Sequence, residues 1–128
     1  MDYYFSKRIT ASFDEAIQKA TDALKAEGFG VISDIDMQAK LNEKLGVDFK
    51  KYRILGACNP GYAYKALQAE EKIGTMLPCN IIVIDQEDGQ VEIAAVNPIA
   101  SMMAVHNPEL EPVAREVTEK LRRVIEMI

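Results

Sequence analysis

Apolar residues along this chain recur with two periods, and the switches between them divide it into elements. Residues 3 to 9 carry Tyr3, Tyr4, Phe5 and Ile9, a β-prone first strand. Ser12-Phe13-Asp14-Glu15 has the capping-box form, with Ser12 at N-cap and Glu15 at N3. Phe13, Ile17, Ala20 and Leu24 follow at helical spacing, and Gly28 ends that helix. Residues 29 to 36, with Phe29, Val31, Ile32 and Ile35, form a second strand. Asp36 can cap a short helix over 37 to 45, which Gly46 closes. Tyr52 to Cys58 reads as a third strand. Asn59 is a suitable N-cap for the next helix, with Pro60 at N1, where its missing N–H costs nothing. That helix runs through Tyr64, Ala66 and Leu67.

Cys79 to Gln86 is a fourth strand, apolar on both faces, which predicts a central position or cover by a partner. Asp88-Gly89 is a hairpin turn into a fifth strand, Gln90 to Val96. Asn97-Pro98 opens a short helical turn, and Asn107-Pro108 opens the last helix. Leu110, Val113, Ala114, Val117, Leu121, Val124, Ile125 and Ile128 give that helix one continuous apolar face. Lys120, Arg122 and Arg123 lie near its C-terminus, where they suit the helix dipole. The hairpin between the fourth and fifth strands favours an antiparallel sheet. The expected fold is α+β: a mostly antiparallel five-stranded sheet with two long helices covering one face.

Length and charge bound the function classes. A chain of 128 residues makes one domain, 1–128, with a self-sufficient core. A net charge of −5 argues against a nucleic-acid binder, because the phosphate backbone demands clustered Lys and Arg. The densest basic stretch, Lys50-Lys51-Tyr52-Arg53, reads as a solvated loop and strand edge. Met1-Asp2-Tyr3-Tyr4-Phe5 lacks the basic and apolar regions of a secretory signal. The longest apolar stretch, Ile81 to Ile84, is strand length, far short of the roughly 18 residues of a membrane span. The expectation is a cytoplasmic protein with no membrane or nucleic-acid partner and with reduced thiols.

The chemistry worth weighing centres on two cysteines. Cys58 ends the third strand in Gly56-Ala57-Cys58-Asn59-Pro60, and Cys79 begins the fourth in Leu77-Pro78-Cys79-Asn80. Antiparallel neighbours would bring both thiols to the same end of the sheet. Cys58 also precedes a helix, and a helix N-terminus favours thiolate. Three readings stay open: small core or turn cysteines, a thiol redox or sulfur-transfer pair, and a soft-metal site. Met76, Met102, Met103 and His106 are the further candidate ligands, though methionines at such spacing also suit core packing. Asn59 and Asn80 either serve a cap and a turn or line a pocket beside the thiols. Tyr62 and Tyr64 could wall such a pocket or pack in the core. Asp34 and Asp36 share a strand face but have no companions at metal-ligand spacing, and read as a solvated strand end.

Tyr52-Arg53-Ile54-Leu55-Gly56-Ala57-Cys58-Asn59-Pro60, then Ala66-Leu67, Gly74 and Leu77-Pro78-Cys79-Asn80-Ile81, resembles the domain-of-unknown-function family numbered 302. The resemblance covers most of the chain. It implies a β-α-β(4)-α arrangement of the TATA-binding-protein-like class and a tendency to form homodimers. It implies no reaction and no cofactor, and it marks Cys58, Asn59, Pro60, Pro78, Cys79 and Asn80 as family-like positions. The resulting expectation is a homodimeric module that binds a small molecule or partner near Cys58 and Cys79. Its mechanism is recognition rather than turnover, with helix N–H groups and two thiols presenting a polar patch on an apolar floor. The alternative is a thiol-dependent enzyme with Cys58 as nucleophile and Cys79 as resolving thiol.

Overall fold

The structure, a computed structural model, describes residues 2–128; Met1 of the N-terminal segment lies outside them. In chain order the elements are β1 (Tyr4–Ile9), α1 (Phe13–Ala26), β2 (Gly30–Asp36), α2 (Met37–Leu45), β3 (Tyr52–Cys58) and α3 (Pro60–Ala69). A 3-10 turn over Glu71–Met76 leads into β4 (Cys79–Asp85) and β5 (Val91–Val96). The chain ends with α4 (Pro98–Ser101), 3-10 turns at Met103–Val105 and Pro108–Leu110, and α5 (Glu111–Met127).

Local chemistry sets most of these boundaries. The Ser12 hydroxyl accepts the Glu15 N–H at 3.1 Å, as the capping box requires. Gly28 then takes φ +87, and the Phe29 N–H returns to the Leu24 carbonyl. Asp36 caps α2 by accepting the Ala39 N–H at 2.9 Å, and Gly46 closes it in the left-handed region.

The strands form one sheet in the order β1-β5-β4-β3-β2, with every neighbouring pair antiparallel. β4 is the middle strand, which accounts for its apolar residues on both faces. α1 and α5 cover one face. Ala16, Ala20 and Leu24 of α1 and Val117, Leu121 and Val124 of α5 bury against Leu55, Ile81, Val83 and Ile93. The alanines carry little bulk on the inner face of α1, which lets the helix sit close to the sheet. On the opposite face the register aligns Ile35, Ile54, Ile82 and Ala94 in one row across four strands.

Two expectations need correction. α5 begins at Glu111, because Pro108–Leu110 is a 3-10 turn. Asn107 organises that turn by accepting the Glu109 N–H, and its own amide donates to the Ala69 carbonyl at 2.9 Å. Lys120, Arg122 and Arg123 lie ahead of the last turn of α5, which holds no basic residue. They act sideways instead: Arg123 and Lys120 reach Glu27 at 2.9 and 3.9 Å, and Arg122 stacks over Phe5. The second strand lies where expected, and it carries a bulge between Val31 and Ser33 that puts Ile32 out of the strand alternation.

Candidate functional site

Antiparallel pairing of β3 with β4 sets Ala57 opposite Cys79, so Cys58 and Cys79 come to one end of the sheet. A cavity of about 250 Å³ opens there. Strand alternation would send Cys58 away from Ala57, but the chain turns into α3 at this point, and both thiols line the cavity. Phe29 and Ile32 close one side, and Tyr62, Ala63 and Ala66 of α3 form another. Val113, Ala114 and Val117 of α5 form a third wall, with Pro98 and Met102 beside them.

The thiols differ. Cys79 is buried, Cys58 is half-buried, and both are free. Burial pushes the Cys79 thiol up to about 11, and the neighbouring Cys58 adds a smaller push in the same direction. Near neutral pH Cys79 is therefore a protonated, small apolar side chain.

Pro78 lines the same cavity and also packs onto β3. A Cβ at Gly56 would stand 2.7 Å from Pro78 Cγ and would also strike the Ser33 hydroxyl. Glycine at 56 is thus the residue that lets Pro78 close the floor beside Cys79.

Asn59 lines this cavity but does not take its predicted capping role. It occupies the N-cap position of α3, yet its side chain makes no cap hydrogen bond. The Asn59 amide instead donates to the Glu27 carbonyl at 3.3 Å, with Gly28 packed beneath it. Asn59 fastens the β3–α3 corner to the end of α1. Pro60 is exposed at the start of α3 and is not part of the wall. Asn80 lies within β4 opposite Gly56, exposed, and lines an adjoining cleft with Met76 and Pro78 rather than the thiol cavity. Tyr62 walls the cavity, whereas Tyr64 is exposed. Partial burial and the neighbouring Glu116 raise the Tyr62 phenol above its ordinary range.

The other candidates disperse. Met102 reaches the thiol cavity, but Met103 and His106 line a separate cleft of about 480 Å³ with Asn107 and Arg115. Among the described residues no three His, Cys, Asp or Glu side chains gather as a metal site. A soft-metal centre on Cys58, Cys79 and Met102 would have to ionise a thiol that burial keeps protonated. Asp34 forms a two-point ion pair with Arg53, at 2.8 and 2.5 Å, and the guanidinium holds its carboxyl below the usual range. Asp36 is occupied as the α2 cap. Both carboxylates thus hold structural positions.

Sequence reasoning placed the thiols but missed most of the wall. Phe29, Ile32 and Pro98 have no local signal of it. Val113 and Val117 read only as helix core.

The family model described as "Domain of unknown function DUF302" matches residues 5–128. The crystal structure of an uncharacterized conserved DUF302 protein from Bacillus stearothermophilus superimposes with a TM-score of 0.89 and 29% identity. That alignment covers 98% of this chain and 97% of the other. An uncharacterized protein of Aquifex aeolicus (strain VF5) is 35% identical over 60 residues, which span 47% of this chain and 41% of that relative. Over nearly its whole length, and in fold as well as sequence, the chain belongs to the DUF302 family.

Proposed function

We propose that this chain is a single-domain, homodimeric binding module of the cytoplasm that holds a small molecule or partner at the Cys58/Cys79 end of its sheet. The observation that carries this reading is the half-enclosed cavity between β3, β4, α3 and α5. Such a pocket, formed where elements diverge, is the usual setting for ligand recognition. Recognition rather than turnover fits the lining, which offers no charged group and one firmly protonated thiol. The acidic net charge weighs against a nucleic-acid partner. None of the described helices is long and apolar enough to cross a membrane, which suits a module without a membrane partner.

The row of Ile35, Ile54 and Ile82 on the uncovered sheet face supports the dimer, since Ile35 keeps 42% of its surface exposed in the single chain. Within the same reading we assign the element order to a β-α-β(4)-α arrangement, with short inserted helices, of the TATA-binding-protein-like class. Light scattering is expected to give twice the chain mass, and Ile54→Glu to halve it. A one-chain mass for the unmodified protein at micromolar concentration would overturn the dimer. For the site, native mass spectrometry of protein purified without thiols should reveal a retained mass that Ala66→Trp releases. Retention by that variant, with its fold intact, would move the site elsewhere.

One observation favours a second reading. Two free thiols at one cavity suit a redox or sulfur-transfer enzyme with Cys58 as nucleophile and Cys79 as resolving thiol. Rapid alkylation of Cys58 at pH 6 would favour it; slow alkylation would favour the binding module.

A further inference from the structure

The cavity wall is chemically uniform. Its side chains are hydrocarbon, proline ring, thiol or thioether, apart from the Tyr62 ring and Asn59, whose amide nitrogen donates to the Glu27 carbonyl. A confined water needs two to four polar partners, and this wall supplies too few. No charged side chain reaches into it. The nearby cations stay outside the lining: Lys120 and Arg123 share Glu27, and Lys65 and Lys120 lie 5.6 and 5.9 Å over the Tyr62 ring. A charged ligand would lose its hydration here with no charged side chain in the wall to replace it.

Size narrows the class. An engineered apolar cavity of roughly 150 Å³ holds one benzene, so about 250 Å³ has room for on the order of ten carbon atoms. Met102 bounds this space in an unusual way. It lines the thiol cavity, the His106 cleft and the smaller cleft below Asn80 alike. Ala114, Pro78, Cys79 and Pro98 each line two of these chambers, so Met102 is the long, adaptable part of the partition among the three.

Resting on the binding-module reading above, we propose that the cavity takes a neutral, hydrocarbon-rich molecule of about ten carbons, and that Met102 sets the longest chain it admits. Each added methylene then tightens binding about fourfold until the chain meets Met102.

The test uses the full chain and the neutral fluorescent probe N-phenyl-1-naphthylamine, displaced by straight-chain alcohols from hexanol to dodecanol and by the matching carboxylates. Alcohol affinity should climb with length and level off near decanol. Met102→Ala should carry the climb further by about three carbons, the heavy atoms the substitution removes. Because that is a gain, misfolding cannot imitate it. Ala63→Phe, which fills the cavity from α3, should weaken decanol roughly fiftyfold. Carboxylates that displace the probe as well as alcohols do, or a Met102→Ala cut-off that stays put, would overturn the ligand class or the partition while leaving the site in place. If no alcohol or carboxylate displaces the probe, and the methyl resonances of Ala66 and Val113 move with none of them, the inference falls together with the site.

Discussion

Gly56→Ala should destabilise this fold by filling a place where β3 and Pro78 nearly touch. The added methyl would sit 2.7 Å from Pro78 Cγ, well inside van der Waals contact, and would also meet the Ser33 hydroxyl. Ser33 can rotate its hydroxyl away. The Pro78 ring cannot, because it is rigid and lies between Leu77 and the first residue of β4. Overpacking of a closed contact of this kind costs about 1–3 kcal/mol. A value near 2 kcal/mol corresponds to a melting temperature lower by about 8 °C in a domain of this size. The chain has no tryptophan, so urea titration followed by far-ultraviolet circular dichroism is the suitable assay. The midpoint should fall with an unchanged slope. Pro78→Ala in the Gly56→Ala background should recover stability, and Ser33→Ala should recover little. Displacing Pro78 also loosens the cover of Cys79, so its alkylation should quicken. An unchanged midpoint, or full recovery by Ser33→Ala alone, would refute the assignment of Pro78 as the constraint.

Cys79 should make the protein alkali-sensitive. Its proton is held to about 11 in the folded state against 9.0 for the free thiol, so its contribution is whole below pH 9 and is lost as pH rises through 11. Two pKa units amount to about 3 kcal/mol, read as the difference in urea stability between wild type and Cys79→Ala across that window; parallel curves would refute it. Asn59→Ala should cost about 1 kcal/mol by removing the amide bond to the Glu27 carbonyl. Asn59→Asp, a good cap without a donor, should fare no better, and near-wild-type stability of that variant would restore the capping role.

Elements were legible in the sequence wherever one residue type dictates a local geometry. Ser12, Asp36 and the glycines after α1 and α2 are of this kind, and their positions match. Asn59 shows the limit. Its N-cap position was readable, but whether the amide turns inward to cap or outward to Glu27 depends on where α1 ends in space. The bulge at Ile32 is similar: it arises from the pairing of β2 with β3, and Val31-Ile32-Ser33 alone does not announce it. The meeting of the thiols followed from antiparallel pairing. The greasy character of their cavity did not, because its walls come from α3, α5 and the turn after β5, far apart along the chain.

The strand order has a kinetic consequence. β1 is made first, but its partner in the sheet is β5, in the register Tyr4↔Val96 to Ile9↔Val91. During synthesis β1 must wait, unpaired, while β2, β3 and β4 assemble by shorter closures. Its Lys7 finds the last hydrogen-bond acceptors, the carbonyls of Glu126 and Ile128, only when α5 docks. The edge strand and the C-terminal helix should therefore lock in one late step. Long-range pairing of this kind slows folding and leaves an open sheet edge on the nascent chain.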